Sequence, residues 1–115
     1  MTSHVLEILT FADTLLSEPD KWTKGALARD KQGDAIGVEV PDACKWCLLG
    51  AIRLAFKGKP QFTCLDELEA FKVLVGEEGG VVFSVSAFND APPTTFAMVK
   101  TRLAAASATL KLGCA

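Results

Sequence analysis

The chain has 115 residues, enough for one hydrophobic core and too few for two typical domains, so residues 1–115 are expected to form a single domain. Half of the residues are hydrophobic and 23% are charged, a composition that excludes an intrinsically disordered chain. The 12 Lys and Arg residues against 14 Asp and Glu residues give a formal net charge of -2, which argues against nucleic acid and anionic membranes as partners.

Hydrophobic periodicity predicts the first helix over residues 5–16. Its apolar side chains recur at helical spacing and form one stripe: Val5, Ile8, Leu9, Ala12, Leu15 and Leu16. Leu6 and Phe11 lie outside this stripe and need a second apolar surface. We therefore expect this helix to contribute to a further contact, for which a homodimer is one hypothesis.

Residues 22–40 lack a helical period and are expected to form a β-hairpin. The turn is predicted at Asp30 to Gly33, since a type I turn favours Asp at its first position and Gly at its fourth. On the second arm, three β-branched side chains would share one face: Ile36, Val38 and Val40. Because an isolated hairpin is only marginally stable, this face is expected to lie on the helices.

The second helix is expected over residues 42–56, with Asp42 as its N-cap. This segment is apolar nearly all round, which is typical of a central, buried helix. Four small residues fall on one narrow arc of this helix: Ala43, Cys47, Gly50 and Ala51. Such an arc predicts a groove into which another helix packs closely.

A third helix is predicted to begin after Thr63, whose hydroxyl is a suitable N-cap, and to end at residues 76–80. Its expected buried stripe consists of Cys64, Leu68, Phe71 and Val75. In residues 81–88, apolar residues then alternate with serines, which favours a short strand, with buried irregular chain as the alternative.

The fourth helix follows a turn in which Asn89 and Asp90 precede two prolines. Its stripe steps by three and four residues along Phe96, Val99, Leu103, Ala106 and Leu110. Because the prolines donate no N–H, the first free N–H groups are expected to be capped by Asp90, Thr94 or Thr95. The predicted fold class is therefore α+β, mostly α, with four helices packed with one small β-hairpin.

The sequence also bears on location. The longest apolar runs, residues 48–56 and 81–88, are shorter than the roughly 18 residues that a membrane-spanning helix needs. The first residues lack the continuous apolar stretch of a secretory signal peptide, because Glu7 and Asp13 interrupt them. We therefore expect a cytoplasmic location, in which the four cysteines are reduced.

Cys44 and Cys47 form a Cys-x-x-Cys motif, which can carry thiol redox chemistry at a helix N-terminus. Thioredoxin-like proteins place this motif in a βαβ setting, whereas here a hairpin precedes it, so we favour a buried, structural Cys47. A structural zinc would need further ligands from Cys64, Cys114 and His4, which are scattered along the chain. We accordingly assign no metal, no cofactor and no catalytic residue, and whether the protein is an enzyme stays open.

The candidates for a binding site are Trp46, Cys47, Asn89 and Asp90. Asn and Asp side chains are common ligand contacts, but they also stabilise turns, which is the alternative interpretation. The leading hypothesis is a non-catalytic binding or protein-interaction module for an unknown protein or small molecule, since no nucleophile–base pair stands out. The alternative is a small enzyme or thiol-active protein that uses Cys47 with Asn89 and Asp90 in a pocket.

Three motifs stand out along the chain: Trp22-x-x-Gly25-Ala26-x-Ala28-x-Asp30-x-x-Gly33, Trp46-Cys47-x-x-Gly50-Ala51 and Phe88-Asn89-Asp90. Together they resemble a family of small uncharacterised bacterial and phage proteins, classed only as a domain of unknown function. The resemblance covers residues 22–106 and implies one compact domain. It singles out, without assigning roles, Cys47, Gly50, Asn89 and Asp90. The chain departs from the family pattern at Phe88, where Trp is common, and Cys44 is not part of that pattern.

Overall fold

The computed structural model describes residues 2–75 and 81–113 of the chain. This part contains five α-helices and three short strands: α1 (Thr2–Leu15), β1 (Ala28–Arg29), β2 (Ala35–Ile36), β3 (Lys45–Trp46), α2 (Leu48–Leu54), α3 (Cys64–Val75), α4 (Val81–Asp90) and α5 (Phe96–Gly113). A short 3-10 turn, Pro19–Lys21, follows α1. The elements pack into one mostly helical α+β globule, which confirms the predicted fold class.

The periodicity of the first and last helices is confirmed. On α1 and just beyond its end, the buried residues are Val5, Ile8, Leu9, Ala12 and Leu16. On α5 they are Val99, Leu103, Ala106 and Leu110. α1 contacts α2, α3 and α5, so its stripe lies at the centre of the hydrophobic core.

The predicted hairpin is present, but it belongs to a three-stranded antiparallel sheet with β1 in the middle. Its turn is closed by Asp30, whose Oδ1 accepts hydrogen bonds from the N–H groups of Gln32 (2.9 Å) and Asp34 (3.0 Å). The expected apolar face was wrong at Val40, whereas Ile36 and Val38 are both half-buried. Val40 donates its N–H to the Gly37 carbonyl and is exposed, because this turn bends the chain away after β2.

The second helix begins later than predicted, and Asp42 is not its N-cap. The N–H groups of Cys44 and Cys47 donate to the carbonyls of Arg29 and Leu27, so this stretch is held at the edge of the sheet rather than in a helix. α2 therefore begins at Leu48, and its N-cap is Cys47, whose sulfur accepts a hydrogen bond from the Gly50 N–H at 3.2 Å.

The prediction that another helix packs into the arc of small residues was wrong at Ala43 and Gly50. Ala43 lies outside α2, and Gly50 is approached by the backbone of Leu27. A β-carbon added at Gly50 would lie 2.0 Å from the Leu27 carbonyl oxygen, so only glycine fits here. The close approach joins α2 directly to the chain that enters β1.

α3 begins at Cys64, as predicted, and Thr63 caps it. The Thr63 hydroxyl accepts from the Asp66 N–H (3.3 Å), while the Asp66 carboxylate accepts from the Thr63 N–H (2.8 Å). The expected stripe was wrong at Cys64 and Leu68, which are exposed, whereas Phe71 is buried and Val75 is half-buried against the core. The buried face consists of Asp66, Ala70, Phe71 and Leu74, which recur at helical spacing and include the capping carboxylate.

Residues 81–88 are helical, so the predicted strand was wrong. α4 buries Val85 and Asn89, which are one helical turn apart, and it contacts α2 and α3. The predicted end of the third helix at residues 76–80 lies outside the described residues. Within the described parts of the chain, no helix is long and apolar enough to cross a membrane.

Candidate functional site

Asn89, the second-last residue of α4, is fully buried at the point where three segments meet. Its Oδ1 accepts hydrogen bonds from the Trp22 indole N–H (2.7 Å) and the Leu48 backbone N–H (3.0 Å). Its Nδ2 donates to the Thr23 carbonyl (3.1 Å) and to Asp90 Oδ1 (2.9 Å). Two donors and two acceptors use the full hydrogen-bonding capacity of the amide. We call this cluster the Asn89 joint.

Asp90 and Lys24 extend the joint towards the surface. Asp90 Oδ1 also accepts from the Gly25 N–H at 3.0 Å, and Gly25 has a positive φ of 79° that suits glycine. The Lys24 ammonium donates to the carbonyls of Ala91 (2.7 Å) and Pro92 (3.4 Å) and lies 5.6 Å from the centre of the Trp22 ring system. Several hydrogen bonds thus connect the loop before β1 to the end of α4.

The helix after the two prolines is capped by Thr95, one of the three expected candidates. Its Oγ1 accepts a hydrogen bond from the Met98 N–H at 3.2 Å. Thr94 instead donates its hydroxyl to the Phe88 carbonyl at 2.6 Å, and Asp90 faces Gly25. Asn89 and Asp90 therefore connect α4 to distant chain, and of the three candidates Asp90 does not cap the next helix.

Cys47 is buried, with 4% of its surface exposed. Burial raises the pKa of its thiol, which outweighs the opposing effect of the hydrogen bond from the Gly50 N–H. A thiol with a raised pKa is protonated at neutral pH and is a poor nucleophile. Cys44 is half-buried before β3, where its backbone pairs with Arg29.

The two tryptophans lie side by side with their indole N–H groups satisfied. Trp22 and Trp46 are connected by a backbone bridge, and both are half-buried against the core. Trp46 donates its indole N–H to the Val38 carbonyl at 3.2 Å. Of the four predicted site residues, the structure thus brings Asn89, Asp90 and the Cys47–Leu48 turn together, and Trp46 lies next to Trp22.

Asp66 is a buried carboxylate that was not among the predicted site residues. The hydrogen bond from the Thr63 N–H lowers its pKa, and a contact with His4 Nδ1 at 3.4 Å lowers it further. The Thr-x-x-Asp spacing is that of a helix capping box and could have identified this residue. Among the described residues, no three His, Cys, Asp or Glu side chains form a group that could hold a metal ion.

Leu6 and Phe11, which lay outside the predicted stripe, line a groove of about 520 Å³ between α1 and the connection from α2 to α3. We call it the α1 groove. Ala55 and Phe62 are nearly buried and form its floor. Its other lining residues are polar or charged: Glu7, Thr10 and Lys59.

Comparison with known proteins identifies the family of this chain. The model of a family of unknown function, DUF6197, matches residues 1–109, and the chain therefore belongs to this family. No curated protein and no solved structure that was compared with the chain matches it.

Proposed function

We propose that this member of DUF6197 is a non-catalytic protein-interaction module that binds its partner in the α1 groove. The observation that carries the proposal is the side chain of Phe11, which is 40% exposed at the edge of an apolar groove. The opposite face of the same helix is buried in the core, so α1 presents apolar side chains on two faces. Exposed aromatic side chains beside an apolar cleft are typical of protein-binding surfaces.

The internal use of the other candidate residues supports this proposal over the thiol-enzyme alternative. Every hydrogen-bonding position of the Asn89 amide is occupied by the protein itself. The Cys47 sulfur is buried and serves as a helix cap. In our proposal, the α1 groove contacts the partner. The role of the other candidate residues is to stabilise the fold: Trp46, Cys47, Asn89 and Asp90.

The proposal includes a cytoplasmic location and a bacterial or phage origin. The free thiols of Cys44, Cys47 and Cys64 support the location, because reduced cysteines are the rule in the cytoplasm. The resemblance of the tryptophan, Cys-x-x-Gly-Ala and Asn-Asp motifs to small bacterial and phage proteins supports the origin.

Random peptides displayed on phage and selected on the immobilised full chain test the proposal. We expect the selection to enrich peptides with apolar and aromatic side chains. These peptides should bind the Phe11→Ser variant at least about tenfold more weakly than they bind the parent chain. Met98→Ser is the matched control, since Met98 is 43% exposed on α5, away from the groove, and its loss should leave binding unchanged. The proposal fails if no selected peptide depends on Phe11 or Leu6.

Site-resolved alkylation separates the module from the thiol-enzyme alternative. Iodoacetamide should label the exposed Cys64 of the native chain quickly, and Cys47 only when urea unfolds it. Because the pKa of the folded Cys47 thiol is raised, its native labelling should stay slow at neutral pH and increase only in alkali. Fast labelling of native Cys47 at neutral pH would favour the enzyme.

A further inference from the structure

We infer that the occupant of the α1 groove is the same groove of a second copy of this chain, in a dimer with two-fold symmetry. The inference rests on the proposed function, whose partner it identifies. Two features of the groove support it, its shape and the charges on its two walls.

The shape of the α1 groove is self-complementary. One wall, α1, carries the exposed side chain of Phe11 and the half-buried Leu6, and the floor contains the small, nearly buried Ala55 beside Phe62. A two-fold rotation places the same patch of both copies face to face. Phe11 of each copy then lies over the partner's Ala55 and Phe62, and both exposed aromatic rings leave water.

The charges of the groove are also self-complementary. Glu7 lies on the α1 wall and Lys59 on the opposite wall, and both are exposed. Neither side chain has a hydrogen bond or an ion pair within the described parts of the chain. In a two-fold dimer whose axis runs along the groove, the α1 wall of each copy faces the opposite wall of its partner. Each Glu7 then faces the partner's Lys59, so two such pairs form.

This charge arrangement favours a second copy over an unrelated partner. A groove of one sign would select a partner of the opposite sign, whereas one cation and one anion on facing walls match their own image. The net charge of the chain, -2, is small enough that repulsion between two copies is weak.

Sedimentation equilibrium of the full chain, from micromolar to millimolar concentration, tests the dimer. We expect a monomer–dimer equilibrium whose dissociation constant rises at least about tenfold in Phe11→Ser and is unchanged in Met98→Ser. Glu7→Lys and Lys59→Glu should each weaken the dimer, and neither exposed change should alter the circular dichroism spectrum. These surface variants keep the test valid if Phe11→Ser destabilises the fold.

Mixing the two charge variants is the decisive step. In the Glu7→Lys chain both groove charges are positive, and in the Lys59→Glu chain both are negative, so a mixture restores two attractive pairs. We expect heterodimers that form more tightly than either homodimer, and recovery in the double variant Glu7→Lys/Lys59→Glu. A mixture no tighter than its components would overturn the inference.

The remaining outcomes separate this inference from the proposed function. If the chain is monomeric at millimolar concentration but still binds peptides in a Phe11-dependent way, the dimer is overturned and the interaction module stands. A chain that neither dimerises nor selects such peptides overturns both. Selected peptides whose binding requires Phe11 and which also dissociate the dimer support both the interaction module and the dimer.

Discussion

The Asn89 side chain joins segments that are far apart in sequence. Its partners Trp22 and Leu48 lie 67 and 41 residues away, and all three sites are part-buried or buried. Inside a protein, a hydrogen bond contributes about 1 kcal/mol net, but leaving a buried partner unsatisfied costs about 1–3 kcal/mol. The joint is therefore sensitive to the loss of its central amide.

We expect Asn89→Ala to lower the free energy of unfolding by about 2–4 kcal/mol. It leaves the Trp22 and Leu48 N–H groups and the Thr23 carbonyl without their partner, while Asp90 keeps its hydrogen bond from Gly25. Asp90→Ala should cost less, about 0.5–1.5 kcal/mol, because Asp90 is exposed and water can replace its bond to Gly25. Urea unfolding of both variants measures the difference. Parent-like stability of Asn89→Ala would show that the joint is not structural.

Gly50 illustrates how tertiary contact reverses helix propensity. Replacing glycine by alanine inside a helix usually stabilises it by about 1 kcal/mol. At Gly50 the new β-carbon would meet the Leu27 carbonyl, a backbone atom that cannot move alone. We expect Gly50→Ala to destabilise the chain by more than about 3 kcal/mol, or to prevent folding.

Gly37→Ala is the control for this substitution. A β-carbon at Gly37 would lie 3.3 Å from a methyl group of the exposed Val40 side chain, which has room to move by a few tenths of an ångström. The change in the urea midpoint should therefore be small. Equal effects of the two variants would contradict the proposed role of the Leu27 contact.

At the scale of elements, α1 and α5 could be predicted because each has one continuous apolar stripe that packs on the core. The beginning of α2 could not. The segment before Leu48 has apolar residues at helical spacing, but its N–H groups at Cys44 and Cys47 bond to β1 and the residue before it. Pairing with distant backbone, which periodicity does not report, decided the conformation there.

α4 was missed for a related reason. The alternation in residues 81–88 resembles a strand, yet a strand needs a neighbour with free N–H and C=O groups, whereas α4 packs on α2 and α3. Val85 and Asn89 share one helical face, but Asn89 looked like a turn residue because its buried partners are distant in sequence. The sequence motifs therefore identified residues of the Asn89 joint but not the segments that the joint connects.

The cap of α3 gives a pH-dependent prediction. The folded pKa of Asp66 is lowered, chiefly by the Thr63 N–H, so its carboxylate stabilises the fold above the ordinary aspartate pKa. This contribution is lost as the pH falls through the lowered value. Asp66→Asn should cost about 0.5–2 kcal/mol at neutral pH, the usual range for a helix cap, and its deficit should shrink in acid.

Urea unfolding between about pH 7 and about pH 3 measures this linkage. Glu69→Gln is the control, since Glu69 is an exposed carboxylate on the same helix. Its difference from the parent should be small at every pH. A deficit of Asp66→Asn that grows on acidification would contradict the assigned sign.

On the scale of the whole molecule, a small sheet with two-residue strands depends on the helices. β1 has only two residues paired on each side, and an isolated sheet of this size is not stable in water. The sheet layer is attached to the helices by the Asn89 joint and by the contact between Leu27 and Gly50. The chain should therefore unfold as one cooperative unit.

Two spectroscopic signals test this cooperativity, because the chain has two tryptophans and no tyrosine. Trp22 and Trp46 report on the sheet layer and the loop before it, while far-ultraviolet circular dichroism reports chiefly on the five helices. We expect the two urea transitions to coincide in the parent chain, as two-state unfolding requires. Asn89→Ala removes the hydrogen bond to the Trp22 indole and should move the fluorescence transition to lower urea than the helical one. If fluorescence changes first in the parent chain, the sheet layer unfolds on its own, and the Asn89 joint does not couple it to the helices.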